Sequence, residues 1–118
     1  VKIPGVDTGG EVAMANKSRK EQISEMLAAN PTDPELRYFL AMEHLGAGDT
    51  DAALKAFQEL TSLDPDYVPA YQQLGQLLTR LEREDEAKHA YSTGIAAARK
   101  KGNQHAAEEM AAFLDSLE

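Results

Sequence analysis

Two stretches of 34 residues, Pro34–Tyr67 and Val68–Lys101, follow one another and repeat one pattern. Laid over each other without a gap, Leu40 falls on Leu74, Ala41 on Gly75, Ala53 on Ala87, Ala56 on Ala90 and Phe57 on Tyr91. Four pairs are identical, counting Asp51 with Asp85, so identity by itself carries little. What recurs is chemistry. Small residues return where two helices must nearly touch, and an aromatic returns four residues after one of them. A fixed period of this size marks an array of stacked supersecondary units.

These residues give the pattern a name. A large residue, Leu-Gly or Leu-Ala, then Ala, an aromatic and Pro resembles the tetratricopeptide repeat. The second unit reads Tyr71, Leu74, Gly75, Leu78, Ala87, Tyr91 and Gly94; the first reads Leu40, Ala41, Ala53, Phe57, Leu60 and Pro65. Arg37 stands where the family has a large apolar residue, His44 where it has an aromatic, and Arg99 where it has the closing proline. The resemblance implies an all-α, right-handed superhelix of helix pairs, about six helices in all. It also implies a protein whose work is to hold other proteins.

Composition narrows the alternatives. A chain of 118 residues is long enough for one domain with its own core. Cysteine is absent, which excludes disulfides, cysteine metal sites and a thiol nucleophile. A net charge of −8 argues against nucleic acid, because binding a phosphate backbone needs clustered Lys and Arg. No run approaches the roughly 20 apolar residues of a membrane span. The expectation is a cytoplasmic protein with no cofactor.

Along the chain, residues 1–16 form a segment apart. Pro4, Gly5, Gly9 and Gly10 interrupt it, and it lacks the apolar centre of a secretory signal. Residues 1–13 read as a mobile leader of vector or read-through origin, with Met14 as a candidate start. The remainder, 17–118, reads as a single domain. A helix over 17–30 starts at Ser18, with Glu21 completing a capping box, and sets Ile23, Met26 and Leu27 on one face. Moved by 34 residues, Ile23 meets Phe57 and Pro31 meets Pro65. Two readings follow: the second half of a degenerate repeat, or an unrelated capping helix.

Asp33-Pro34 restarts the chain as a cap before a first-turn proline. Gly46-Ala47-Gly48 closes that helix, and Asp49 or Thr50 caps the next. In the second unit a helix from about Pro69 to Leu81 is followed, after the charged turn Arg83-Glu84-Asp85, by its partner running to roughly Lys100. Gly94 within that partner costs about 1 kcal/mol against Ala, which close helix approach must return. Asn103 caps a last helix, over 103–117, whose stripe of Met110, Phe113, Leu114 and Leu117 covers the end of the stack. The same stripe suits a dimer seam.

The resemblance places ligands in a concave face lined by the first helix of each pair. Counted from Pro34 and Val68, the family's groove positions fall on Glu35, Tyr38, Phe39, Met42, Leu45 and Gly46, then Pro69, Gln72, Gln73, Gln76, Thr79 and Arg80. Tyr38, Met42, Leu45, Gln72, Gln73, Gln76, Thr79 and Arg80 are the peptide-binding candidates. Apolar side chains would pack on Tyr38 and Met42, amides would bond a backbone, and Arg80 would take a carboxylate through its planar fork. Equally open is that Tyr38, Phe39 and Met42 belong to the core and the glutamines to plain solvated surface. One subset of the family clamps chaperone C-termini with lysine; Tyr38, Met42, Gln72, Gln73 and Gln76 include none, so such peptides are not expected to bind.

Chemistry of other kinds finds no support. His44, His89 and His105 lie on three different helices without ligand spacing. The carboxylates Glu82, Glu84, Asp85 and Glu86 lie at a helix start, where negative charge suits the dipole, and lack the glycine a calcium loop needs. No phosphate loop or serine elbow is present. The sequence therefore predicts a non-enzymatic adaptor for an unidentified protein or peptide, monomeric or weakly dimeric. A self-assembling module joined through the last helix is the alternative.

Overall fold

The computed structural model describes residues 17–118, so the expectations for the leader and Met14 lie outside the described residues. Six α-helices follow in order: α1 Arg19–Ala29, α2 Pro34–Gly46, α3 Thr50–Leu63, α4 Val68–Arg80, α5 Glu84–Lys100 and α6 Gln104–Leu117. No strand occurs among the described residues. Each helix packs chiefly on its sequence neighbours, giving an all-α helical repeat.

Local chemistry sets most of the boundaries. Ser18 accepts from the Glu21 amide at 3.1 Å, Asp33 from Glu35 and Leu36, Asp49 from Ala52, and Asn103 from Ala106. Each of these hydroxyl, carboxylate or amide oxygens satisfies a first-turn amide that the helix leaves unbonded. Tyr67 and Arg83, which precede α4 and α5, offer no such side-chain cap. There Pro69 in the first turn and the carboxylates Glu84, Asp85 and Glu86 favour the helix start instead.

The core has two contiguous parts. One joins Ala41, Ala53, Phe57 and Leu60 to Leu74, Leu77 and Ala87; the other joins Tyr71, Tyr91 and Ile95 to Ala106, Ala107 and Met110. The second depends on two close approaches. A Cβ added at Gly75 would lie 2.3 Å from the Tyr91 ring, and one at Gly94 would lie 2.6 Å from both Met110 Sδ and Tyr71 Cβ. Glycine is required at both places because no side chain fits between the helices.

Several apolar residues sit differently from the sequence expectation. Met26, assigned inward with Ile23 and Leu27, is 54% exposed, since among the described helices α1 packs chiefly on α2. Leu63 and Leu81, which the helical pattern placed among the packing residues, lie at helix ends and are also exposed. Phe113 leaves the covering stripe of α6 and is 44% exposed, while Met110 is fully buried.

Candidate functional site

The first helices of the pairs, α2 and α4, share one side of the stack with α6, and a groove of about 490 Å³ opens between them. Leu45 comes from the end of α2; Gln73, Gln76, Thr79 and Arg80 come from α4; Phe113, Ser116 and Leu117 come from α6. Five of the eight residues predicted for a groove thus meet in one place. The other three do not join them.

Tyr38 and Met42 pack as half-buried side chains on the core of the first repeat. Tyr38 lies among aromatic rings, 6.0 Å from Phe57 edge-on, 5.5 Å from Tyr67 and 6.3 Å from Phe39. Such edge and tilted geometries satisfy the ring quadrupoles, and they leave Tyr38 committed to its own fold. Gln72 donates from Nε2 to Glu109 Oε1 at 3.2 Å, so this amide ties α4 to α6.

Within the groove the side chains are ordered by what lies behind them. The Tyr91 ring, 1% exposed, stacks on Phe113 with centroids 5.6 Å apart and planes 11° from parallel. Burial raises the Tyr91 phenol above its ordinary pKa, and the neighbouring Thr79 side chain partly offsets this. The Thr79 hydroxyl donates to the Gly75 carbonyl at 2.7 Å. Arg80 is exposed and makes no ion pair among the described residues. One end of the groove is therefore apolar, from Leu45, Phe113 and Leu117. The wall beside it carries two amides, a hydroxyl and one unpaired guanidinium.

Sequence reasoning missed Phe113, Ser116 and Leu117 as groove residues, though a signal for Phe113 was there. Continuing the 34-residue count to Gly102 puts Phe113 at the twelfth position, where the earlier repeats have Leu45 and Thr79. All three line the groove. At this position the last helix thus presents a residue to the same groove as the first helices of the two pairs.

The histidines stay apart. His105 Nε2 lies 3.5 Å from Glu109, and His44 Nδ1 is buried without a hydrogen-bond partner. Among the described residues, no group of three or more His, Asp or Glu is placed to hold a metal ion. No described helix is long and apolar enough to cross a membrane.

Comparison with known proteins gives consistent matches. The sequence profile of the tetratricopeptide repeat matches residues 44–111. A TPR repeat-containing protein of Pseudomonas aeruginosa is 31% identical over 98 residues, spanning 83% of this chain and 93% of that protein. The solved tetratricopeptide repeat domain of a Salinibacter ruber protein superposes with a TM-score of 0.71 at 43% identity, over 75% of this chain and 89% of that one. A Bordetella parapertussis protein gives a TM-score of 0.72 at 30% identity, over 86% of this chain and 88% of its own.

Proposed function

Because the chain belongs to the tetratricopeptide repeat family, we propose that it is a non-enzymatic cytoplasmic adaptor that holds a peptide segment of another protein in its concave groove. Tetratricopeptide repeats generally mediate protein–protein interaction, and this groove has the means for it. The observation that carries the reading is the pairing of an apolar end with a polar wall. Leu45 and Phe113 accept an apolar side chain, Gln73 and Gln76 bond an extended backbone, and Arg80 meets a carboxylate. Tyr38 and Met42 support the groove from within the first repeat. Gln72 holds α6 in place as its far wall.

The test is capture from a lysate of the native cells, read by mass spectrometry, with the full chain beside a Gln73→Ala, Gln76→Ala, Arg80→Glu variant. None of these side chains is buried, so the variant is expected to fold, which circular dichroism checks. A partner depleted roughly tenfold by the variant, a loss of about 1.4 kcal/mol, supports the groove. Equal capture by both removes function from it. A second copy of this chain among the captured proteins would favour self-assembly through the exposed Phe113 of α6.

A further inference from the structure

A second depression of about 450 Å³ lies on the other side of the stack, between the second helices α3 and α5. Its floor is Tyr71, Leu74 and Leu78, and Asp85 and Glu86 stand on its α5 wall. No lysine or arginine lines it. Arg83 holds Glu86 through both carboxylate oxygens, whereas the Asp85 carboxylate makes no hydrogen bond or ion pair among the described residues. We propose that this cleft receives a lysine or arginine side chain from a basic segment of a partner protein.

The form of the cleft suits that occupant. A cationic side chain carries an aliphatic stem that packs on an apolar floor while its head stays at a wet, charged rim. The floor here is apolar, the rim acidic and open, and the whole chain carries a net charge of −8, which draws basic partners. A metal ion is a poorer candidate, since the described carboxylates and His89 do not form a ligand group.

The first repeat supplies a precedent inside the same molecule. Thirty-four residues before Tyr71 stands Arg37, and thirty-four before the cleft residue Thr93 stands Glu59. Arg37 donates from Nε to the Pro31 carbonyl at 2.8 Å, and its Nη1 lies 3.7 Å from Glu59 Oε2. The equivalent place is thus served by the chain's own arginine, half-buried, with a carboxylate from α3. In the second repeat Tyr71 gives its hydroxyl to the Pro65 carbonyl at 2.8 Å and brings no cation, although carboxylates are present. A partner's basic side chain brings to this cleft the cation that Tyr71 lacks, facing Asp85 rather than Thr93, the counterpart of Glu59.

The cleft faces away from the concave groove, so the proposal stands or falls separately from the peptide-groove reading. Its test is a titration of the full ¹⁵N-labelled chain with two acetylated, amidated tetrapeptides, Ala-Arg-Leu-Arg and Ala-Glu-Leu-Glu. The basic probe is expected to shift the amides of Thr61, Asp85, His89 and Thr93 with saturation, less strongly at raised salt. Asp85→Asn should weaken it about fivefold, the scale of one exposed charge pair. Asp51→Asn, the same position in the first repeat, should leave it unchanged. The proposal is overturned by no shift at millimolar probe or by equal shifts with the acidic probe. Shifts confined to Gln73, Gln76 and Phe113, or unaltered binding by Asp85→Asn, overturn it as well.

Discussion

The two repeats hold equivalent places in the stack and fill them by different means. At the close approach of the paired helices, the first repeat has Ala41 and Phe57, both fully buried; the second has Gly75 and Tyr91, with the ring where a Cβ would otherwise be. Where the first buries Leu60, the second has Gly94, and Tyr71 and Met110 fill the space instead. Arg37 and Tyr71, unlike in charge and shape, both donate to the carbonyl of the proline six residues earlier. What the stack preserves is occupied volume and satisfied backbone between helices. Residue identity follows only where one side chain alone meets both demands.

The repeats also differ in how much they bury. Only Leu36 and Ala41 are buried in α2, whereas α4 buries Val68, Ala70, Tyr71, Leu74, Gly75, Leu77 and Leu78. The helix α4 lies inside the array and α2 lies near its described end. The terminal unit of a stack has fewer partners, and its apolar residues are left half-covered.

Exchanging the repeats' solutions should expose these differences. The largest effect is expected from Gly94→Leu, which copies Leu60 into the second repeat. Its Cβ would already meet Tyr71 Cβ and Met110 Sδ at 2.6 Å, and Tyr71 Cβ cannot retreat without moving α4. We expect a loss of about 3 kcal/mol in urea unfolding, the upper end of overpacking costs. That exceeds the gain of about 1 kcal/mol from removing a mid-helix glycine. An unchanged or raised midpoint would mean that α6 is not pinned at this contact.

A smaller effect is expected at the turns within the pairs. Gly48 has φ +80°, and thirty-four residues on, Glu82 has φ 59°, the one described non-glycine residue with positive φ. Both turns need the left-handed conformation, and Glu82 holds it against its Cβ. Glu82→Gly should stabilise by roughly 0.5–1 kcal/mol, and Gly48→Glu should destabilise by about 1–2 kcal/mol. Thermal unfolding checks both, and the same sign for the two exchanges would break the equivalence of the turns.

The smallest effect is expected only in alkali, where the tyrosines ionise. Burial raises the phenols of Tyr67, Tyr71 and Tyr91 above the ordinary value of 10.0; nearby carboxylates add to this at Tyr67 and Tyr71. The folded state therefore keeps protons that the unfolded chain gives up first. Stability from these groups is complete below about pH 10 and falls as pH rises through the folded-state values. Tyr91→Phe gives the second repeat the residue type of Phe57 and should make the fall shallower. Melting curves between neutral pH and pH 11 measure it, and an equally steep fall in the variant would assign the effect to other groups.

Much of the fold was legible because its determinants are local. Asp33, Asp49 and Asn103 cap their helices as the sequence indicated, and Pro34 sits in a first turn. The groove was legible in part. Leu45, Gln73, Gln76, Thr79 and Arg80 meet because a fixed period carries a fixed face from one unit to the next. Tyr38, Met42 and Gln72 have the same periodicity and a different environment, which no count of positions reveals.

By itself the sequence determined the six described helices and their order, since capping, glycine placement and a 34-residue apolar pattern act over a few turns of chain. Glu84 and Asp85, read as part of a turn, open α5 instead. Tertiary structure decided which apolar residues are free. It buried Met110 and left Phe113 at the groove mouth, stacked on Tyr91, though both belong to one stripe of α6. It also packed half-buried Tyr38 against the core and left Arg80 in solvent. The physical reason is that exposure depends on how many helices stand beside a residue, and that number is fixed only when the stack is assembled.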